Sequence, residues 1–267
     1  MISNGDGGPH APLDAAAAPS WLKPLLDNVA DVPRAYRRRV PAEVLAAIKV
    51  ASEVEEATAT LTGAKRDAAV LVLFSGPFDS PSGGLPENAD LLVTVRASTL
   101  RHHAGQAAFP GGAADPGDDG PVGTALREAR EETGIDTTRL QPLITLDRMF
   151  IPPSGFHVVP VLAYSPDPGP VDVVDERETA IVARVPVRAF INPANRLMVY
   201  RKETTTRFAG PAFLLNQMLV WGFTGQVISA ILDVAGWAEP WDANNVRELD
   251  AAMALVGGGS DYREGQQ

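Results

Sequence analysis

The chain has 267 residues, 45% of them hydrophobic and 21% charged, a balance that excludes wholesale disorder and fibrous architectures. Its 24 glycines and 23 prolines exceed average usage and point to heavily turned loops on a folded body. A net charge of −10 excludes the basic stripe with which proteins bind duplex nucleic acid, and zero cysteines exclude disulfides, thiolate zinc sites and a cysteine nucleophile.

Residues 1–20 lack the basic start and apolar run of a secretory signal, and their Gly, Pro and Ala content predicts a disordered leader. Residues 21–64 read as a helical extension, with helical pieces at 20–26 and at 42–48, the second opening after Pro41. Residues 65–256 form the main domain. Short apolar runs bounded by turn residues predict strands at 68–74 and 90–96. Thr124 to Thr133 predicts a short helix, with Gly134 as its stop because glycine takes the left-handed conformation cheaply. Further strands are expected at 143–150, 157–164, 180–187 and 197–201.

Phe208 to Leu232 carries no charge and is long enough to span a bilayer. Asn216, Gln217, Gln226 and Ser229 interrupt it, however, as do Gly210, Pro211, Gly222 and Gly225. Val220, Phe223, Val227 and Ile231, spaced by three and four, predict a core helix after a short strand or loop. No membrane span is expected, and residues 257–267 read as a disordered tail. Strands mixed irregularly with helices predict an α+β chain built as an α/β/α sandwich with a mixed sheet.

The segment that carries chemistry is Arg127-Glu128-Ala129-Arg130-Glu131-Glu132-Thr133-Gly134-Ile135. On a helix, Glu128, Glu131 and Glu132 are i,i+3 and i,i+4 neighbours, while Leu126, Ala129 and Thr133 fall on another face and pack inward. Like charges at that spacing cost roughly 0.2–0.5 kcal/mol unless something neutralises them. A divalent cation would, and Mg²⁺ prefers oxygen ligands. The plain alternative is a solvated helix knitted by Arg127 and Glu131 at i,i+4. Upstream, Phe109-Pro110-Gly111-Gly112 leads into an acidic loop with Asp115, Asp118 and Asp119, and paired glycines let backbone approach a ligand closely.

Gly112, Asp118 and the run from Arg127 to Ile135 together resemble the Nudix box, G-x5-E-x7-R-E-U-x-E-E-x-G-U with U aliphatic. The second half matches position by position, with small Ala129 in an aliphatic slot. The first half departs from the pattern: eight residues before Arg127 stands Asp119, whereas one extra residue aligns Gly112 with Asp118. In both cases Asp replaces Glu, so that carboxylate is not expected among the metal ligands.

Leu92-Val93-Thr94-Val95-Arg96-Ala97, with Arg101, Gly105 and Phe109 to Gly112, resembles the longer signature of coenzyme A-type Nudix pyrophosphatases. Pro153 to Phe156, Val158, Pro160, Glu178 before Ala180-Ile181-Val182, and Trp221 to Thr224 are similar to that subfamily too. The resemblance spans roughly residues 68–235.

It implies a Nudix-type sandwich carrying a helical N-terminal extension, and Mg²⁺- or Mn²⁺-dependent hydrolysis of a nucleoside diphosphate linked to another moiety. For the coenzyme A type, the products are adenosine 3′,5′-bisphosphate and (acyl-)4′-phosphopantetheine. Glu128, Glu131 and Glu132 are the implied metal ligands. Glu131 is a third ligand or the general base, with Glu178 as the second candidate for the base, and Arg127 orients a glutamate. Arg96, Arg101, His102 and His103 form a basic patch near the box, so Arg96, Arg101 and His102, with Gly111 and Gly112, are the expected substrate contacts. Trp21, Trp221 and Phe223 are candidates to stack on adenine, although spacing favours core packing for the last two.

Two other functions remain open: a Nudix hydrolase acting on ADP-ribose or another nucleoside diphosphate derivative, and a non-catalytic domain that senses a nucleotide. The partner is expected to be a small nucleotide substrate rather than nucleic acid or membrane. A homodimer and a cytoplasmic location are compatible with the sequence.

Overall fold

The computed structural model describes residues 12–62, 66–80, 83–97, 106–152, 154–202 and 208–257. Among these, the N-terminal extension contributes α1 (Lys23–Asp27), α2 (Val32–Arg37) and α3 (Ala42–Thr62). Prolines in the first turn start α1 and α2, where a missing N–H costs nothing. Trp21, Leu22, Leu25 and Val32 are buried in the principal core. Arg38 and Arg39 reach Asp233 at 2.7 and 2.9 Å, tying the extension to the C-terminal half. By contrast, no residue of the 21-residue α3 is buried.

Residues 12–20 differ from the disordered leader expected from composition. Ala15–Ala17 form a 3-10 turn capped by Asp14, and Ala18 is buried. The Asp14 N–H donates to the Pro142 carbonyl at 3.0 Å and Gln141 donates to the Pro12 carbonyl at 2.9 Å. These hydrogen bonds to the segment around Pro142 and the burial of Ala18 fix the stretch, and composition alone does not reveal either.

The larger sheet contains β1 (Asp67–Ser75), β2 (Asp90–Arg96), β3 (Ala107–Ala108), β4 (Gly111–Ala113), β5 (Gln141–Thr145), β6 (Met149–Ile151), β7 (Phe156–Ser165) and β8 (Thr179–Pro186). Its centre is the parallel pair β1 and β7, in register from Asp67↔His157 to Ser75↔Ser165. All other pairings in it are antiparallel, so the sheet is mixed. Alternation along β1 divides the core. Ala69, Leu71 and Leu73 face α4 (Gly120–Thr133), while Val72 and Phe74 face the extension and the helix at Gly222–Val234. This is the expected α/β/α sandwich. The strand expected at 143–150 is two strands, β5 and β6, both on β7 and separated by 146–148.

After the short α5 (Val187–Ile191), a second, four-stranded sheet runs in the order β11-β10-β9-β12, from β9 (Arg196–Tyr200), β10 (Ala209–Leu215), β11 (Met218–Val220) and β12 (Val246–Glu248). The uncharged run is therefore a hairpin turning at Asn216-Gln217, followed by α6 (Gly222–Val234). Gln217 takes φ 59° there, which gives the tight turn its positive-φ residue. Val220 belongs to β11, and Val227 and Ile231 are buried on α6. β12 and α7 (Leu249–Gly257) have no counterpart in the sequence expectations, because a three-residue strand and one apolar helical face offer too little periodic signal. No described helix is long and apolar enough to cross a membrane.

Trp21 is 0% exposed and packs edge-on to Phe74 and Tyr164, with its indole N–H donating to the Pro77 carbonyl at 2.9 Å. That removes it from the candidates to stack on a base. Trp21→Ala is expected to cost about 3–5 kcal/mol of stability, measured by urea unfolding of the whole chain. A loss under about 1 kcal/mol would mean the extension is not integral to the core.

Candidate active site

The site sits where β4 meets α4. Pairing of β4 with β1 places Gly111 opposite Val70 and Gly112 opposite Ala69. A Cβ at Gly111 would lie 2.4 Å from the Ala69 carbonyl oxygen, so only glycine fits between the two backbones. A Cβ at Gly112 would lie 2.5 Å from the carboxyl group of Glu128. The glycine pair thus has two separate causes: one position yields to the sheet, the other to a glutamate.

α4 begins four residues earlier than the expected Thr124, with Gly120-Pro121 in its first turn, and ends at Gly134 with φ 66°. Pro121 is the start signal that the apolar pattern alone passes over. Leu126, Ala129 and Thr133 are buried against the sheet, as expected. This packing holds Glu128 and Glu132 along the β4 side of the helix.

Glu132 is the most constrained of the three glutamates. Its carboxylate accepts the Gly111 N–H at 3.3 Å. Burial pushes its pKa up to about 7, against the pull of Arg96 and the Gly111 N–H, and Glu128 and Glu178 push the same way as burial. Burial also raises Glu128, opposed by Arg127. Arg96, at the end of β2, and Glu178, whose carbonyl accepts the Ala97 N–H at 2.9 Å, therefore flank the same carboxylate.

Arg127 organises the other side. Its Nε and Nη2 bond the two oxygens of Asp118 at 2.8 and 3.0 Å, in a bidentate fork. Nη1 is shared between Glu128 at 2.9 Å and Glu131 at 3.1 Å, and Nη2 also donates to the Ala113 carbonyl. Thr124 and the Asp115 N–H complete the Asp118 shell, both at 2.9 Å. The hydrogen bond from Arg127 holds the Asp118 carboxyl far below the usual carboxylate range. Of the two aspartates that counting allowed, Asp118 is the one that meets Arg127. Its oxygens are already spent on donors, which suits an anchor for the arginine.

Glu131 is the most solvent-exposed of the glutamates, with 54% of its side chain accessible. Among the described residues, no three carboxylate or imidazole groups are already gathered as a closed ligand set. Even so, the chemistry of the donors fits a divalent cation. Two neighbouring carboxylates are driven toward protonation by burial, and hard oxygen ligands are what Mg²⁺ or Mn²⁺ would take. Of the expected substrate contacts, Arg96, Gly111 and Gly112 converge here, whereas Arg101 and His102, with neighbouring His103, lie outside the described residues. Trp221 and Phe223 are half-buried at the start of α6. The sequence reading missed the role of Asp118, although the spacing from Gly112 had already pointed to it.

Gly112→Ala is expected to leave the fold intact, because the clash falls on the mobile end of Glu128 rather than on backbone. Displacing that carboxylate by about 1 Å lowers turnover by roughly 100-fold. Steady-state kinetics beside a thermal melt checks this, and wild-type turnover would refute the contact.

The NUDIX domain family model matches residues 80–207. A Nudix hydrolase of Photorhabdus laumondii, NudL, described as uncharacterized, is 37% identical over 140 residues, covering 52% of this chain and 73% of that protein. NudL of Yersinia pestis is 37% identical over 140 residues, covering 52% of this chain and 68% of its own. Among solved structures, the Nudix hydrolase RenU of M. smegmatis aligns with 25% identity and a TM-score of 0.37, over 46% of this chain and 72% of that one.

Proposed function

The chain belongs to the Nudix hydrolase family, and on that footing we propose that it hydrolyses the pyrophosphate of coenzyme A or an acyl-coenzyme A. The products would be adenosine 3′,5′-bisphosphate and (acyl-)4′-phosphopantetheine. The observation that carries the catalytic part is the half-buried Glu132, which accepts the Gly111 N–H and feels the charges of Arg96, Glu128 and Glu178. The substrate part is supported by the stretch from Leu92 to Gly112, which resembles the coenzyme A-type signature and ends in this site.

Glu128 and Glu132 would hold Mg²⁺ or Mn²⁺, with Glu131 as a further ligand. Such an ion neutralises pyrophosphate charge, polarises the phosphoryl oxygen and lowers the pKa of a bound water. Arg96 is near enough for its charge to act on Glu132 and would bind the pyrophosphate through its planar fork. Arg127 positions Glu128 and Glu131 instead of touching substrate. Two groups are candidates to take the proton of the attacking water. Glu131 has one carboxylate oxygen on Arg127, whereas the exposed Glu178 is close enough for its charge to act on Glu132. Glu178 is therefore our first choice, and Glu131 the second.

Incubation with Mg²⁺ and a panel of CoA, acyl-CoA, ADP-ribose, a dinucleoside polyphosphate and an oxidised nucleoside triphosphate tests the reading. Release of adenosine 3′,5′-bisphosphate at the highest kcat/KM from CoA or its thioesters is expected, and ¹⁸O water identifies the phosphorus attacked. Much faster cleavage of ADP-ribose would replace the substrate assignment. Saturable nucleotide binding without hydrolysis of any member would favour a sensor.

A further inference from the structure

A cavity of about 760 Å³, mainly apolar, lies between α3 and the body of the protein. That size falls within the range of small-molecule sites. Val44 and Ile48 of α3, Phe150 of β6 and Phe223 of α6 are among its apolar walls. The 21-residue α3 buries no side chain, because beneath its first half lies space in place of core. The cavity shares no residue with the cluster around Arg127 and Glu132, so it is a feature separate from the candidate active site.

Polar groups in this lining lack the partners that buried polar groups ordinarily have. The Trp221 indole N–H is buried with no hydrogen-bond partner among the described residues. Burial alone pushes the Tyr36 hydroxyl up to about 12, so it stays protonated and can donate. The Tyr36 and Phe223 rings are 6.2 Å apart, which sets the tyrosine beside the first turn of α6, where Trp221 is the N-cap residue. The lining is also cationic: Arg37, Lys49, Arg148 and Arg201 stand against a single carboxylate, Glu53. Arg148 is held by Glu56 and Asp67, and Lys49 lies 3.9 Å from Glu53. Arg37, next to Tyr36 in the chain, has no acidic partner among the described residues.

We infer that this cavity binds a small amphipathic carboxylic acid, its apolar body against Val44, Ile48 and Phe150 and its carboxylate taken by Arg37, Tyr36 and Trp221. An anion answers the excess of positive charge and the unfilled donors, and a hydrocarbon body answers the walls. A neutral apolar molecule would leave those donors unpaired, and a nucleotide would set polar groups against hydrocarbon. Binding presses α3 onto the body, because the ligand supplies the apolar contacts that the helix lacks. The inference goes beyond the coenzyme A reading and does not rest on it.

The test uses the full chain, with decanoate as the probe and 1-decanol as its neutral counterpart of equal chain length. Binding is read by titration calorimetry and by the ¹H–¹⁵N cross-peak of the Trp221 indole, identified by its absence in Trp221→Phe. Decanoate is expected to bind saturably, to shift that cross-peak, and to bind about tenfold more tightly than decanol, the effect of a charge-assisted hydrogen bond. Arg37→Gln should remove most of that advantage and leave decanol binding unchanged. Ile48→Glu, which sets a carboxylate in the wall, should abolish decanoate binding, whereas Val50→Glu, on the exposed face, should change nothing. Both substitutions fall on a helix with no buried residue, and a thermal melt checks that each variant stays folded. Absence of saturable binding, equal affinity for the two probes, or undiminished binding in Ile48→Glu would overturn the inference. Adenosine 3′,5′-bisphosphate should not displace decanoate; displacement would put the acid in the nucleotide site and overturn the assignment to this cavity. Failure of the coenzyme A reading would show in the substrate panel alone, since decanoate has no pyrophosphate to cleave.

Discussion

Glu132→Gln is expected to lower kcat by about 1000-fold or more while the protein stays folded, because the isostere keeps the Gly111 hydrogen bond and loses the charge that, on the proposed reading, would hold the metal. A second readout separates this from damage to the fold. In the wild type, the buried carboxylate has its pKa raised from 4.5 to about 7. The folded state therefore binds more protons than the unfolded state between those values, and stability falls as pH rises through that window. In chelator, Glu132→Gln should melt above the wild type at pH 8 and close to it at pH 4.5. Added Mg²⁺ reverses the order. A ligand at 100 times its Kd stabilises by about 2.7 kcal/mol, and only the wild type should gain that shift. Near-wild-type turnover in Glu132→Gln, or an equal Mg²⁺ shift in both proteins, would remove the metal role assigned to Glu132.

Arg127→Ala should be the most destabilising change in the site. The arginine side chain is 20% exposed and Asp118 only 8%, so the substitution strands a buried carboxylate and also releases Glu128. Breaking such a pair costs about 3 kcal/mol or more, and for a domain of this size that is a fall of roughly 10 °C in Tm. Because Asp118 is held below its ordinary 3.8, its contribution is present above that pH and is lost as pH falls below it. The wild type should lose its advantage over Arg127→Ala in acid. Asp118→Asn combined with Arg127→Ala should cost much less than the sum of the two, which a double-mutant cycle would read. Strict additivity would show that the fork carries no coupling.

The box helix was legible in the sequence because its chemistry is local. Glu128, Glu131 and Glu132 are set within five residues, and helical spacing alone puts them near one another. The glycine stop, the inward face of Leu126, Ala129 and Thr133, and the strands at 68–74 and 90–96 follow from equally short-range rules. Less local features were harder to read. Burial raises the pKa of Glu132, Arg96 of β2 pulls it down and Glu178 before β8 pushes it up, and those two residues are 36 and 46 away in number. No pattern in the chain brings those three together; the pairing of β2 with β8 sets Arg96 near Glu178, and the packing of α4 on β1 and β4 adds Glu132. The placement of Trp21 was missed for the same reason. An aromatic residue in a preface of weak helices carries no mark of its partners, and Phe74, Tyr164 and Trp237 surround it from three distant segments.

The composition and motifs by themselves determined the α+β class and the family and pointed to a carboxylate helix suited to a divalent cation, because hydrophobic period, capping and carboxylate spacing act over a few residues. Which aspartate anchors Arg127, which glutamate is buried deepest, and that a chamber opens under α3 beside Gly222 were decided by tertiary structure. Those properties depend on desolvation and on contact across the sheets, and both come into being only when distant segments share a surface.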